Sequence, residues 1–166
     1  PLLQGRHRGI ADFDGEIARL FGAEVERAMA GGFSELAEGA HGSLALILLL
    51  DQFPRNLFRG TARAFATDGR ALAVARQALE RGFDAALPPV MRLFVYLPFE
   101  HSEDLADQER SVALFRALGN AEWLDYAVRH RDIVARFGRF PHRNAALGRP
   151  TTAEEAVFLK TPNSSF

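Results

Sequence analysis

An all-α fold follows from three features of this 166-residue chain. Apolar residues recur at three- and four-residue intervals, proline and glycine punctuate the chain at helix-length spacings, and no alternating apolar–polar run is long enough for a strand. Phe13, Ile17, Leu20, Phe21, Val25, Ala28 and Met29 make one face of a first helix, opened by Asp12 or Asp14 and stopped at Gly31-Gly32. Ser43 then caps a wholly apolar helix from Leu44 to about Gln52, which Pro54 ends by forcing its preceding residue out of the α region. A helix that is apolar all round belongs at the centre of the molecule. The third runs from Thr67 or Asp68 to Arg81, with Leu72, Ala75, Ala78 and Leu79 inward and Gly82 just beyond. The fourth opens at Pro88-Pro89, where a missing N–H costs nothing, and closes at Pro98.

Ser102 caps the fifth helix, Glu103 and Asp104 occupy its first turn, Val112, Phe115 and Leu118 point inward, and Gly119 stops it. The sixth spans about 121–137, before Gly138. The last starts at Thr151 or Thr152, with Glu154 or Glu155 completing a capping box, and carries Val157 to Leu159. Seven or eight helices on short loops make antiparallel neighbours, so residues 1–166 read as one antiparallel helical array. The stretch TDGRALAVARQALERGFDAAL looks like half of a tetratricopeptide hairpin, but its period does not persist.

Composition narrows the function classes. Apolar residues make up 48% and charged residues 25%, the proportions of a folded domain rather than a disordered or fibrous chain. A net charge of −1 gives no reason to expect nucleic acid or an anionic membrane as partner. The longest apolar run, Leu44 to Leu50, is far too short to cross a bilayer. Without cysteine there is no disulfide, thiolate nucleophile or thiolate-bound zinc, a pattern that fits a cytoplasmic location. Lys160 is the one lysine among 20 cations, a bias that GC-rich codons explain, so arginine usage by itself marks no site. A start at Pro1, with neither Met nor leader, predicts an incomplete or processed N-terminal segment.

Three segments place polar side chains where packing alone does not. In LLLDQFPRNLFRGT, Asp51 falls at the negative end of a buried helix, and Arg55, Arg59 or Arg63 is the expected partner. In YLPFEHSEDLADQ, capping explains Ser102, Glu103 and Asp104 but leaves Glu100 and His101 unexplained. In RHRDIVARFGRFPHRNAALGR, the spacing from Trp123 through Ala127, Val134 and Phe137 puts His130 on an apolar stripe. Six arginines between Arg129 and Arg149 face the single acid Asp132, which points to an anionic partner. Phe53-Pro54-Arg55-Asn56 is echoed by Phe140-Pro141-His142-Arg143-Asn144 with one residue inserted. No GxSxG elbow, P-loop, HExxH or helical His pair is present, and His101, His130 and His142 lie on separate segments, so no cofactor or metal set is expected.

The strings LALILLLDQFPRNLFRGTARAFATD, YLPFEHSEDLADQE and RFGRFPHRNAALGR followed by TTAEEAVFL resemble the bacterial domain-of-unknown-function family number 924, in order from about Phe13 to Phe166. The resemblance implies an all-α, tetratricopeptide-like superhelix and no assigned activity. It also implies a set of positions of interest: Asp51, Arg55, Asn56, Arg59 and Asp68, then His101, Ser102, Glu103 and Gln108, then His130, Arg136, Arg139, His142, Arg143 and Asn144. Members normally carry an aromatic-rich segment before the pair seen here as Phe13-Asp14, and a tryptophan near His41; both are missing from this chain.

Three functions stay open on these residues. The first is a binding protein whose Arg/His/Asn-lined cleft takes a small anionic ligand or a carboxylate-bearing peptide. The second is an enzyme with His130 or His142 as general base on an anionic substrate. The third is a polar network that only fixes the fold. Oligomeric state is not legible.

Overall fold

The computed structural model describes residues 10–162, 164 and 165, and every regular element there is helical. The α-helical segments are α1 (Ile10–Met29), α2 (Ala40–Ile47), α3 (Phe53–Leu57), α4 (Asp68–Glu80), α5 (Pro89–Glu100), α6 (Leu105–Leu118), α7 (Ala121–Phe137) and α8 (Ala153–Phe158), with short 3-10 turns in the connections. The links between α4, α5, α6 and α7 are short enough that consecutive helices fold back on one another. Gly119 closes α6 at φ 81°, a left-handed conformation that glycine adopts without a Cβ penalty. The next residue, Asn120, caps α7 by accepting the Trp123 N–H at 3.0 Å. No helix among the described residues is long and apolar enough to cross a membrane.

The central helix departs from expectation at both ends. It begins at Ala40, so Ser43 lies inside it and donates its hydroxyl to the Ala37 carbonyl at 3.3 Å instead of capping. Nor does Pro54 end it. Residues Leu48–Gln52 form a π-helical turn in which the Phe53 N–H reaches back to the Leu48 carbonyl, and the chain continues directly into α3. The proline thus falls in the first turn of α3, where its missing N–H is tolerated. An α-helical residue 54 would have served the Leu50 carbonyl, which instead accepts the Thr67 hydroxyl at 2.6 Å.

Two further boundaries differ. Pro98 sits inside α5, which runs on to Glu100. The Glu100 and Ser102 carbonyls both accept from Gln108 Nε2 at 2.6 Å, so a buried amide ties the end of α5 to α6. Asp104, not Ser102, caps α6 by accepting the Ala106 N–H at 2.7 Å. The expected Thr152–Glu155 capping box is present at α8.

The main core lies among α2, α4, α5, α6 and α7, around Ile47, Ala75, Val95, Phe99, Phe115 and Ala127. A second cluster joins α1 to the central helix through Val25, Ala28, Leu46 and Leu50. Of the face expected to bury α1, Ile17, Val25 and Ala28 are buried, whereas Phe13, Leu20 and Phe21 remain exposed, Phe21 stacking on Phe53 of α3 at 5.0 Å between ring centroids.

Candidate functional site

The π turn delivers Asp51 into the interior with its side chain fully buried. A carboxylate there needs compensation, and three neighbours provide it. Gln52 Nε2 donates to Oδ2 at 2.5 Å, Arg55 Nη1 lies 3.2 Å from Oδ1, and His101 Nδ1 meets the same oxygen at 2.8 Å. Of the arginines expected to pair with Asp51, Arg55 does so. Arg59 grips Asp14 with two contacts of 3.0 and 3.1 Å, and Arg63 pairs with Glu26. Burial raises the Asp51 pKa, but the Arg55 charge and the hydrogen bonds from His101 and Gln52 outweigh it and leave the carboxyl below its usual range.

Arg55 also makes a bidentate pair with Asp68, both contacts at 2.9 Å. Arg143 reaches the same carboxylate at 3.2 Å, so the arginines of the two echoed segments converge on one acid. The Arg143 guanidinium lies between the Phe65 and Phe140 rings, 4.7 and 4.6 Å from their centroids. Only 6% of this residue is exposed, and its buried Nε has no hydrogen-bond partner among the described residues. Burial depresses its pKa to about 10, against the pull of Asp68.

These groups border a cleft of about 410 Å³ whose polar lining includes Arg55, Arg59, His101, His130, His142 and Arg143. Its imidazoles are held neutral. Burial lowers His130 to about 3 and His142 to about 4, with the Arg143 charge adding to both, and burial with the Arg55 charge lowers His101. Behind His130 lies Glu100, its Oε1 3.3 Å from Nδ1 and its pKa pushed up to about 8 by burial and by Asp51. His130 Nδ1 also lies 2.8 Å from the Tyr126 carbonyl, an acceptor that requires the proton on that nitrogen. His101 differs from His130 in the acceptor of its Nδ1–H, the buried Asp51 carboxylate in place of a backbone carbonyl, and its Nε2 is the basic nitrogen.

Beside the cleft, Glu103, Arg139 and Asn144 belong to a clamp, with Glu103 lining a neighbouring cavity that it shares with Asp68, His101 and Arg143. Arg139 pairs bidentately with Glu155 at 2.6 and 2.9 Å, and Asn144 donates to Glu155 at 3.2 Å. Arg149 pairs with Glu103 at 2.6 and 3.0 Å, and Glu103 also accepts the Phe140 N–H at 2.7 Å. Arg136 meets Glu154 at the surface, and Asn56 joins Arg59 on Asp14. The arginine excess read between Arg129 and Arg149 is therefore balanced in space by Asp125, Glu109, Glu154, Glu155 and Glu103.

A family model described as "Bacterial protein of unknown function (DUF924)" matches residues 4–163. The chain belongs to this family. It is also similar to the solved structure of a protein of unknown function, ATU0120, from Agrobacterium tumefaciens, with 49% identity over 90% of this chain and 85% of that one and a TM-score of 0.86. No curated protein matches.

In this DUF924 chain, the sequence marks Glu100 as unexplained by capping and gives Phe65 no distinction. Glu100 carried a signal, since a carboxylate at the end of an apolar helix, with no cap to serve, needs another reason to be there. Phe65, which underlies the Arg143 guanidinium, carried none, because its role depends on segments 78 residues apart meeting in space.

Proposed function

We propose that this protein binds a small anionic ligand in the cleft bordered by Arg55, His101, His142 and Arg143. The observation that supports it is Arg143 itself. A guanidinium taken almost entirely out of water, with its Nε unmatched and its bond to the protein confined to one 3.2 Å contact with an acid already shared, is costly without a further acceptor. A carboxylate or phosphate oxygen supplies that acceptor, and the end of a peptide offers the same chemistry.

The buried charges already cancel, Arg55 and Arg143 against Asp51 and Asp68. A bound anion adds negative charge beside neutral imidazoles, which compensate by taking up a proton. Affinity should therefore rise as the pH falls toward the ordinary histidine range. The test is thermal unfolding in acetate, succinate and phosphate against chloride at equal ionic strength. A hundredfold excess over Kd adds about 2.7 kcal/mol to the folded state. Identical melting curves in all four salts would sink the proposal.

One observation favours a second reading, an enzyme acting on the same anion. Asp51 and His101 form a buried carboxylate–imidazole pair with Nε2 left as a base, the arrangement that orients a general acid–base histidine. In that reading the base is His101 rather than His130 or His142, and His101→Gln abolishes turnover while Arg143→Ala weakens substrate binding.

A further inference from the structure

The cleft has an apolar neighbour. A second cavity of about 440 Å³ shares Leu97, His101 and His130 with it, and its other walls include Leu93, Phe115 and Trp123. Resting on the anion-binding reading above, we infer that the two cavities form one bipartite site for an amphipathic monoanion. Its carboxylate lies on the Arg55–Arg143 side, and an aromatic or branched apolar body lies against Leu93, Leu97 and Trp123.

Three features of the geometry lead there. Ligand cavities are mostly apolar, with a few convergent polar groups, and here those two characters are divided between adjoining halves that meet at two imidazoles. Leu93, Leu97 and Trp123 are only half-buried although they pack on the main core, so they keep apolar surface that a ligand could cover. The carboxyl in the apolar half, Glu100, is 4% exposed and sits against His130 at 3.3 Å, so among the described residues the half that would receive the apolar body presents no exposed charge.

Ligand charge follows from the balance of fixed charges around the cleft. Two guanidiniums and two carboxylates already cancel, so each added negative charge needs one imidazole to become protonated. A carboxylate needs one such proton and a phosphate dianion two, which favours the carboxylate.

Trp123 is the sole tryptophan of the chain, so its fluorescence reports on the apolar half directly. The experiment titrates wild-type protein with acetate, 3-phenylpropanoate and 3-phenylpropan-1-ol, following Trp123 emission and calorimetric heat. Burial of a phenyl group should make 3-phenylpropanoate about 10- to 100-fold tighter than acetate, with a change in Trp123 emission that acetate does not produce. The alcohol, which lacks the anion, should bind at least about tenfold more weakly than the acid. Leu93→Phe, which fills the apolar half, should remove the advantage of the phenyl group, so that the ratio of 3-phenylpropanoate to acetate affinity falls toward one. Should Leu93→Phe fail to fold, the wild-type series decides alone. Equal affinities for acetate and 3-phenylpropanoate overturn the bipartite site while leaving anion binding intact. Equal affinities for the acid and the alcohol also overturn it, and failure of every anion to bind removes both readings.

Discussion

The clamp around Glu155 and Glu103 and the cleft around Asp51 and Asp68 are built from the same residue types, yet they leave their polar groups in opposite states. In the clamp each carboxylate receives a bidentate arginine, a backbone N–H or both, and the asparagine fills what is left. In the cleft two arginines share Asp68, Asp51 is sealed behind a histidine, and neutral imidazoles line open volume. The echoed Phe-Pro segments feed both regions. Arg55 and Arg143 go to the cleft, whereas Asn56 and Asn144 each help an arginine grip a carboxylate outside it. Residue type alone therefore does not separate a scaffold pair from a ligand-ready one; what separates them is whether the partner's hydrogen-bonding capacity is already used up.

The comparison breaks most readily at Asp51. Asp51→Ala should destabilise by about 3 kcal/mol or more in urea unfolding, because it takes from Arg55 one of its two carboxylates and leaves the buried Nδ1–H of His101 and the Gln52 amide without their acceptor. A loss below about 0.5 kcal/mol, the range of neutral surface changes, would mean that the pairing carries no energetic weight.

The next effect, at Glu100, depends on pH. Its folded pKa of about 8 lies above the ordinary 4.5, so the folded state keeps a proton that the unfolded chain releases, and stability falls as the pH rises between those values. Glu100→Gln cannot lose that proton. It should exceed wild type by on the order of 2–4 kcal/mol at pH 8 and match it near pH 4. His130 and His142 act with the opposite sign. Their folded values of about 3 and 4 lie below 6.5, so the unfolded chain takes up protons first, and stability is lost as the pH falls from 6.5 through those values. Urea midpoints measured across this range should show both limbs, and a flat profile would mean that neither group is held in its neutral form.

Most helices were legible because their signals are local. Thr152 with Glu155, Gly119 and Gly138 each act within a few residues of themselves. The structure departs from these local signals at the central helix, at Pro98 and at the cap of α6, where Asp104 takes the place of Ser102; at the central helix a tertiary partner overrides the punctuation, because Thr67 supplies the donor that Pro54 cannot. The site was legible as a set of residues and not as an arrangement. His101, His130 and Arg143 line the cleft, Arg139 and Asn144 hold Glu155, and Glu103 holds Arg149 while lining a neighbouring cavity with Asp68, His101 and Arg143. The acids Glu155 and Glu103 stand 16 and 46 residues from the arginines they hold, beyond any local pattern.

An exchange of variants sharpens the comparison at lower cost to the fold. Arg143→Ala leaves Asp68 with its bidentate Arg55 but vacates buried space against the Phe65 and Phe140 rings, so it should lower Tm less than Asp51→Ala and should abolish the anion-induced rise in Tm. Arg139→Lys loses the fork that holds Glu155, so it should lower Tm while the anion-induced rise persists in full. Parallel behaviour of the two variants would merge clamp and cleft into one structural network.

The subtlest difference is in the titration of His101, where no change of stability is needed to read the answer. Burial and the Arg55 charge hold its pKa below the ordinary 6.5, and the bond to Asp51 fixes the neutral ring with its proton on Nδ1. Nitrogen-15 NMR of the imidazole should therefore show Nε2 as the unprotonated nitrogen at pH 7. Adding acetate brings a negative charge to the cleft, which favours the imidazolium and must raise the pKa of His101 if the anion lies beside it. By linkage, the same interaction makes acetate bind more tightly as the pH falls, so the shift in pKa and the pH dependence of affinity have to agree in size. His41 is far in sequence from the cleft-lining histidines and absent from the cleft wall, so it serves as the internal control. A His101 pKa that stays fixed while acetate binds would place the anion away from the Asp51–His101 pair and remove the ground for assigning it acid–base chemistry.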